Sequence, residues 1–143
     1  MEKNIGPRTF KELKRYIGRD LHPTGGHEKF LIRYLFEAGF KYIFWMRLTR
    51  YFFLKGKKAL IPFVLCRFIL KHYAYKYTFD ISYQAQIGPG FQIAHFGYIT
   101  VPSSSVLGEN CRMRPGIVLG GKLTGNQQGG GDCRRPCTVR CGL

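Results

Sequence analysis

Ile81, Ile87, Ile93 and Ile99 fall six residues apart, and Val101, Leu107, Met113 and Leu119 do so again after a two-residue slip. An α-helix repeats its faces every 3.6 residues and a pleated strand every 2, so neither gives a period of six. Glycine follows the apolar residue at Gly88, Gly108 and Gly120. The period fits a prism of short parallel strands, three to a rung, with each apolar residue pointing inward and small residues turning the corners.

Upstream of Asp80 the texture is helical. A short helix is expected around Phe10–Ile17, followed by a loop through His22–Gly26. Leu31, Tyr34, Leu35 and Ala38 share one helical face in a helix over 28–54, which Gly39 is expected to break. Gly56, Lys57 and Lys58 make a basic turn. Pro62 lies near the start of a further apolar run, where its missing N–H costs little. That run reaches about Tyr77 and carries Arg67 and Lys71 one helical turn apart.

The charge narrows the partners. The chain of 143 residues carries a formal +15, and residues 1–80 hold 17 Lys/Arg against 6 Asp/Glu. Between Lys41 and Lys76 there are nine basic residues and no acid. Such a field favours anionic partners, so peripheral membrane contact through the basic helices 28–77, with Arg33, Arg47, Arg50 and Arg67, is an expectation. The alternative is a solvated or subunit-facing surface. No nucleic-acid motif accompanies the charge, so nucleic acid is not an expected partner. The N-terminus lacks the apolar run of a secretory signal. The apolar stretches 42–46 and 59–70, interrupted by Arg47, Arg50 and Arg67, fall short of the ~20 residues of a membrane span. The expected location is the cytoplasm or the inner face of the membrane. Five cysteines, an odd number, argue against a disulfide framework.

Five motifs in the repeat segment share one order and spacing. Asp80-Ile-Ser-Tyr, Ile87-Gly-Pro-Gly90, Ala94-His95, Val106-Leu-Gly108 and Ile117-Val-Leu-Gly-Gly121 resemble the Asp-Ile-His-Pro, Ile-Gly-x-Gly, Asp-His, Val-Ile-Gly and Val-Thr-Leu-Gly-Gly of the serine acetyltransferase repeat domain. That domain belongs to the hexapeptide-repeat acyltransferases, and the match runs through about forty residues without an internal gap. The helices with Phe44-Trp45-Met46-Arg47 and Leu65-Cys66-Arg67 resemble the helical extension of the subgroup found in capsule and exopolysaccharide loci.

The resemblance implies an α+β chain: a helical region over 1–79, a partial left-handed parallel β-helix over 80–122, and an aberrant, disordered tail over 123–143. It also implies an O-acetyltransferase that uses acetyl-CoA as co-substrate and no metal, in a homotrimer whose active sites lie between subunits. By position, His95 is the general base on an acceptor hydroxyl, and Asp80, fifteen residues earlier, is its carboxylate partner. That spacing is close to a rung of eighteen and allows neighbouring rungs. Imidazole titrates near neutrality, and a nearby carboxylate stabilises the cation that forms. Gly120, Gly121 and Lys122 match the turn beside the coenzyme's pantetheine arm.

One substrate position departs from the pattern. The family's aspartate before the histidine, which recognises the amino group of serine, is Ala94 here. A methyl cannot bind an ammonium, so a sugar hydroxyl of a surface polysaccharide fits better than serine. Serine O-acetylation for cysteine synthesis is the alternative within the same chemistry. A non-enzymatic basic module at a membrane surface is the alternative of another class.

From Gly129 the repeat stops, and Cys133, Cys137 and Cys141 crowd the end of the chain. Their spacing does not match the paired Cys-x₂-Cys of zinc sites. A basic disordered terminus is a second reading. A shift of reading frame accounts for more: with arginines on CGN codons, a one-base shift permits a sequence close to the family's next hexads. This reading makes the chain an incomplete copy of its parent. It predicts that the genomic DNA carries a continuing hexapeptide-repeat frame overlapping codons 131–143, which direct sequencing checks.

Overall fold

A computed structural model of the chain describes residues 6–22, 29–119 and 138–139. Helices come first and short parallel strands follow, an α+β arrangement. Helix α1 (Phe10–Leu21) starts at Thr9, whose hydroxyl accepts from the Glu12 N–H while the Glu12 carboxylate accepts from the Thr9 and Arg8 N–H groups. This reciprocal cap satisfies donors that an open helix end leaves orphaned, and the helix runs four residues past Ile17.

The expected break in the next helix falls at Glu37, in extended conformation between α2 (Phe30–Phe36) and α3 (Ala38–Lys55). Gly39 serves a different purpose. It lies in the first turn of α3, where a Cβ would sit 2.6 Å from the carbonyl oxygen of Ile93. Glycine there lets the helix backbone rest directly on a strand. A 3₁₀ turn over Gly56–Ala59 leads into α4 (Leu60–Tyr77), with Pro62 in its first turn. Thr78 closes α4 in the left-handed region and delivers the chain straight into the first strand.

Six strands then wind two rungs of a prism: β1 (Phe79–Ile81), β2 (Gln86–Ile87), β3 (Gln92–Ile93), β4 (Ile99–Val101), β5 (Val106–Leu107) and β6 (Arg112–Met113). The pairs β1–β4, β2–β5 and β3–β6 are all parallel and form three separate faces. Ile81 stacks on Val101, Ile87 on Leu107 and Ile93 on Met113, each offset by twenty residues. The period-six residues up to Met113 are the buried prism interior, completed by Phe79, Phe91 and Cys111, with Leu119 partly buried against it. Burying each such side chain is worth about 1.5–3 kcal/mol. Within the segment 123–143 only Thr138–Val139 are described, and they pair in parallel with β5 as β7.

Helices α3 and α4 pack against the first rung, with Tyr42, Ile43, Met46 and Leu70 joining the strand side chains in one core. Two arginines expected on an outward basic face point inward instead. Arg47 is 3% exposed and Arg50 6%. Arg47 donates twice to Asp20, at 2.8 and 3.1 Å, and once each to the carbonyls of Ile87 and Gly88, both at 2.6 Å. Asp20 in turn accepts from the N–H groups of Gly90 and Phe91 at 2.8 Å. Arg50 donates to the carbonyl of Gln84 and Tyr42 to that of Ile81. Their partners are distant in sequence, so helical periodicity alone could not assign their direction. Cys66 is a buried free thiol, whereas Cys111 is disulfide-bonded; among the described residues this is a single bond rather than the framework that the odd total argued against.

Removing one member of a buried, hydrogen-bonded ion pair costs about 3–5 kcal/mol. Arg47→Met is therefore expected to lower unfolding free energy in urea by that amount. The double variant Asp20→Leu/Arg47→Met is expected to give little recovery, because the backbone groups of Ile87, Gly88, Gly90 and Phe91 stay orphaned.

Candidate active site

The two-residue slip in the hexad pattern has a definite place in the structure. Inward positions advance by six from Ile81 to Ile87 to Ile93, then by eight to Val101, and by six again to Leu107 and Met113. The next rung returns to eighteen, since Thr100 bridges to Val118. The extra length lies wholly in the corner between β3 and β4, residues 94–98, and that corner carries His95.

The corner projects from the prism. Ala94 is anchored by its N–H to the carbonyl of Met113 at 2.9 Å, while His95, Phe96 and Tyr98 are exposed. Gly97 takes φ 144°, and a Cβ there would meet Pro115 at 2.8 Å. The backbone conformation and the close stacking both call for glycine.

Asp80 occupies the outward position of β1, between the inward Phe79 and Ile81 and opposite Thr100. Asp80 is among the residues lining two surface clefts. One, of about 200 Å³, is lined by Tyr42, Arg67, Lys71, Ser82 and Tyr83 among others. The other, of about 400 Å³, is lined by Lys71, Ala74, Tyr75, Thr78 and Tyr98. Asp80 is the one carboxylate among the residues lining either cleft. Arg67 and Lys71 face it from successive turns of α4, Arg67 stacking 5.0 Å from the Tyr83 ring centre. Burial pushes the Tyr42 hydroxyl well above the usual phenol range, so it stays a donor to the Ile81 carbonyl at working pH.

Asp80, on β1, and His95, in the corner after β3, belong to the same first rung rather than to neighbouring rungs as their spacing had allowed. Tyr98, three residues beyond His95, lines the larger cleft beside Asp80. No hydrogen bond or ion pair joins His95 to Asp80 in the single chain, and His95 lines neither cleft. Gly120, Gly121 and Lys122 lie outside the described residues. Sequence reasoning did not place Arg67, Lys71, Tyr75 and Tyr98 beside Asp80. The one-turn spacing of Arg67 and Lys71 was visible, but not that this edge of α4 faces β1.

No protein-family model and no curated protein matches the chain. Among solved structures, it is similar to the crystal structure of Neisseria gonorrhoeae serine acetyltransferase (CysE), with TM-score 0.61 and 21% identity over 85% of this chain and 47% of that one. It is likewise similar to the same protein in complex with serine, with TM-score 0.62 and 21% identity over 82% of this chain and 48% of that one. The chain thus spans about half the length of these structures and shares their fold over that part.

The corner makes its own prediction. Gly97→Ala is expected to cost about 1–3 kcal/mol through strain and crowding against Pro115. His95→Ala is expected to stay within about 0.5 kcal/mol of the parent. Urea midpoints of the two variants check both.

Proposed function

We propose that the chain is part of an acetyl-CoA-dependent O-acetyltransferase of the serine acetyltransferase kind, acting on a hydroxyl acceptor that is a sugar of a surface polysaccharide. The observation that carries the reading is the projecting corner. The motif histidine stands where the prism gains its two extra residues, in a chain whose fold is that of serine acetyltransferase structures. In this reading the prism is a left-handed β-helix and the working form is a homotrimer in the cytoplasm. The later rungs of the parent complete the coenzyme cleft, with Gly120, Gly121 and Lys122 beside the pantetheine arm.

The chemistry assigned to the chain's own residues is acyl transfer by general base catalysis. The His95 imidazole takes the proton of the acceptor hydroxyl as its oxygen bonds to the acetyl carbonyl carbon. The carbon–sulfur bond breaks, and the proton passes from His95 to the departing thiolate. Asp80 stabilises the imidazolium while it exists. Because the two groups do not touch within one chain, the reading has the neighbouring subunit and the acceptor draw the corner towards Asp80.

Ala94 favours an acceptor without an amine, since it offers no carboxylate to an ammonium. Serine O-acetylation is the second reading; a serine complex is known for the structurally similar enzyme. Purified full-length protein is expected to consume acetyl-CoA with the glycan acceptor and to turn over free serine poorly. His95→Ala is expected to lower kcat by about 10²–10⁴ while the urea midpoint is unchanged. Near-parental activity in that variant overturns the assignment of the base, and efficient turnover of serine overturns the acceptor.

A further inference from the structure

Helix α4 carries apolar side chains on both its inner and its outer side, with Arg67, Lys71, His72 and Lys76 among them, and packing explains only the inner ones. Cys66 and Leu70 are buried, and Phe63, Tyr73 and Tyr77 are half-buried on the same side. The opposite side is open. Ile61, Phe68 and Tyr75, spaced seven residues apart and so on one line of the helix, are 84%, 72% and 73% exposed. Leu60, Val64 and Leu65 widen this stripe. An uncovered apolar strip of this size marks an interaction surface.

The charges around the stripe identify its partner. Lys71 lies on one edge and Lys76 on the other, and both are exposed. Lys55, Lys57 and Lys58 are exposed at its N-terminal end. Neither α4 nor the turn before it contains an Asp or Glu. Two copies joined through this face would bring cations against cations, so a second copy of the chain is a poor match. A bilayer with anionic headgroups supplies both what the stripe lacks and what the lysines need. No helix among the described residues is long and apolar enough to cross a membrane, so the contact lies in the interface.

We propose that the outward face of α4, with its basic N-terminal turn, docks onto an anionic lipid bilayer. Ile61, Phe68 and Tyr75 enter the headgroup–acyl boundary, and the five lysines sit among the headgroups. This differs from a general basic helical surface, because Arg47 and Arg50 are spent inside the fold. It is also independent of acyl transfer, since binding is measured without acetyl-CoA.

The test is flotation of the full chain with phosphatidylcholine vesicles and with vesicles that also contain phosphatidylglycerol, at low and high salt. Flotation is expected with the anionic vesicles alone and falls as salt rises. The variant Ile61→Glu/Phe68→Glu is expected to reduce the bound fraction about tenfold at an unchanged urea midpoint, and Lys57→Glu/Lys58→Glu to weaken binding at low salt. No flotation with anionic vesicles, or undiminished flotation of Ile61→Glu/Phe68→Glu, overturns the proposal. So does sedimentation without lipid in which the parent is an oligomer and that variant a monomer, with neither floating, because the face is then a subunit contact.

Discussion

The buried ion pair between Asp20 and Arg47 joins the helical half of the molecule to the strands. The first rung of a parallel prism has no rung beneath it, so its downward N–H and C=O groups need other partners. The Arg47 guanidinium covers the carbonyls of Ile87 and Gly88, and Asp20 accepts from Gly90 and Phe91. Tyr42 and Arg50 do the same at Ile81 and Gln84. With side-chain exposure of 0% for Asp20 and 3% for Arg47, the pair is costly to desolvate, and what offsets this is that its polar atoms find partners at once. The helices thus act as the lid on the open end of the prism.

This division of labour sets the electrostatics of the whole chain. Of the basic residues between Lys41 and Lys76, Arg47 and Arg50 are consumed in holding the fold. Those that remain exposed gather along α4 and the turn before it. Lys71 and Tyr75 belong both to that surface and to the cleft beside Asp80, so the outer face of α4 and that cleft share a border.

The prism was legible because a stacked core imposes its period directly on the sequence: the steps of six from Ile81 to Ile93 and from Val101 to Met113 must carry apolar residues. Motif spacing named His95 and Asp80 as candidates, and the structure shows no hydrogen bond or ion pair between them in the single chain. The destinations of Arg47 and Arg50 were not legible, because an arginine in an apolar helix reads the same whether it faces water, lipid or a buried carboxylate. Its partner Asp20 lies 27 residues earlier, on a helix that the Thr9–Glu12 pair caps in the structure. Gly39 looked like a helix breaker, since glycine's lack of a side chain gives no hint of whether the backbone needs freedom or proximity. The cleft around Asp80 was hidden for the same reason as the ion pair: it depends on how α4 rolls against β1.

The long corner between β3 and β4 is the one place where the first rung departs from eighteen residues. None of its surplus enters the stack, since Ile93 and Val101 keep their inward places on either side. Removing two residues there would restore the regular rung and leave every core contact in position. The inward stack of the prism thus sets no upper bound on this loop, and the present length is held instead by Gly97 against Pro115 and by the Tyr98 carbonyl accepting from Gly116. A longer loop would carry the imidazole farther from the scaffold without any change in the architecture that carries it.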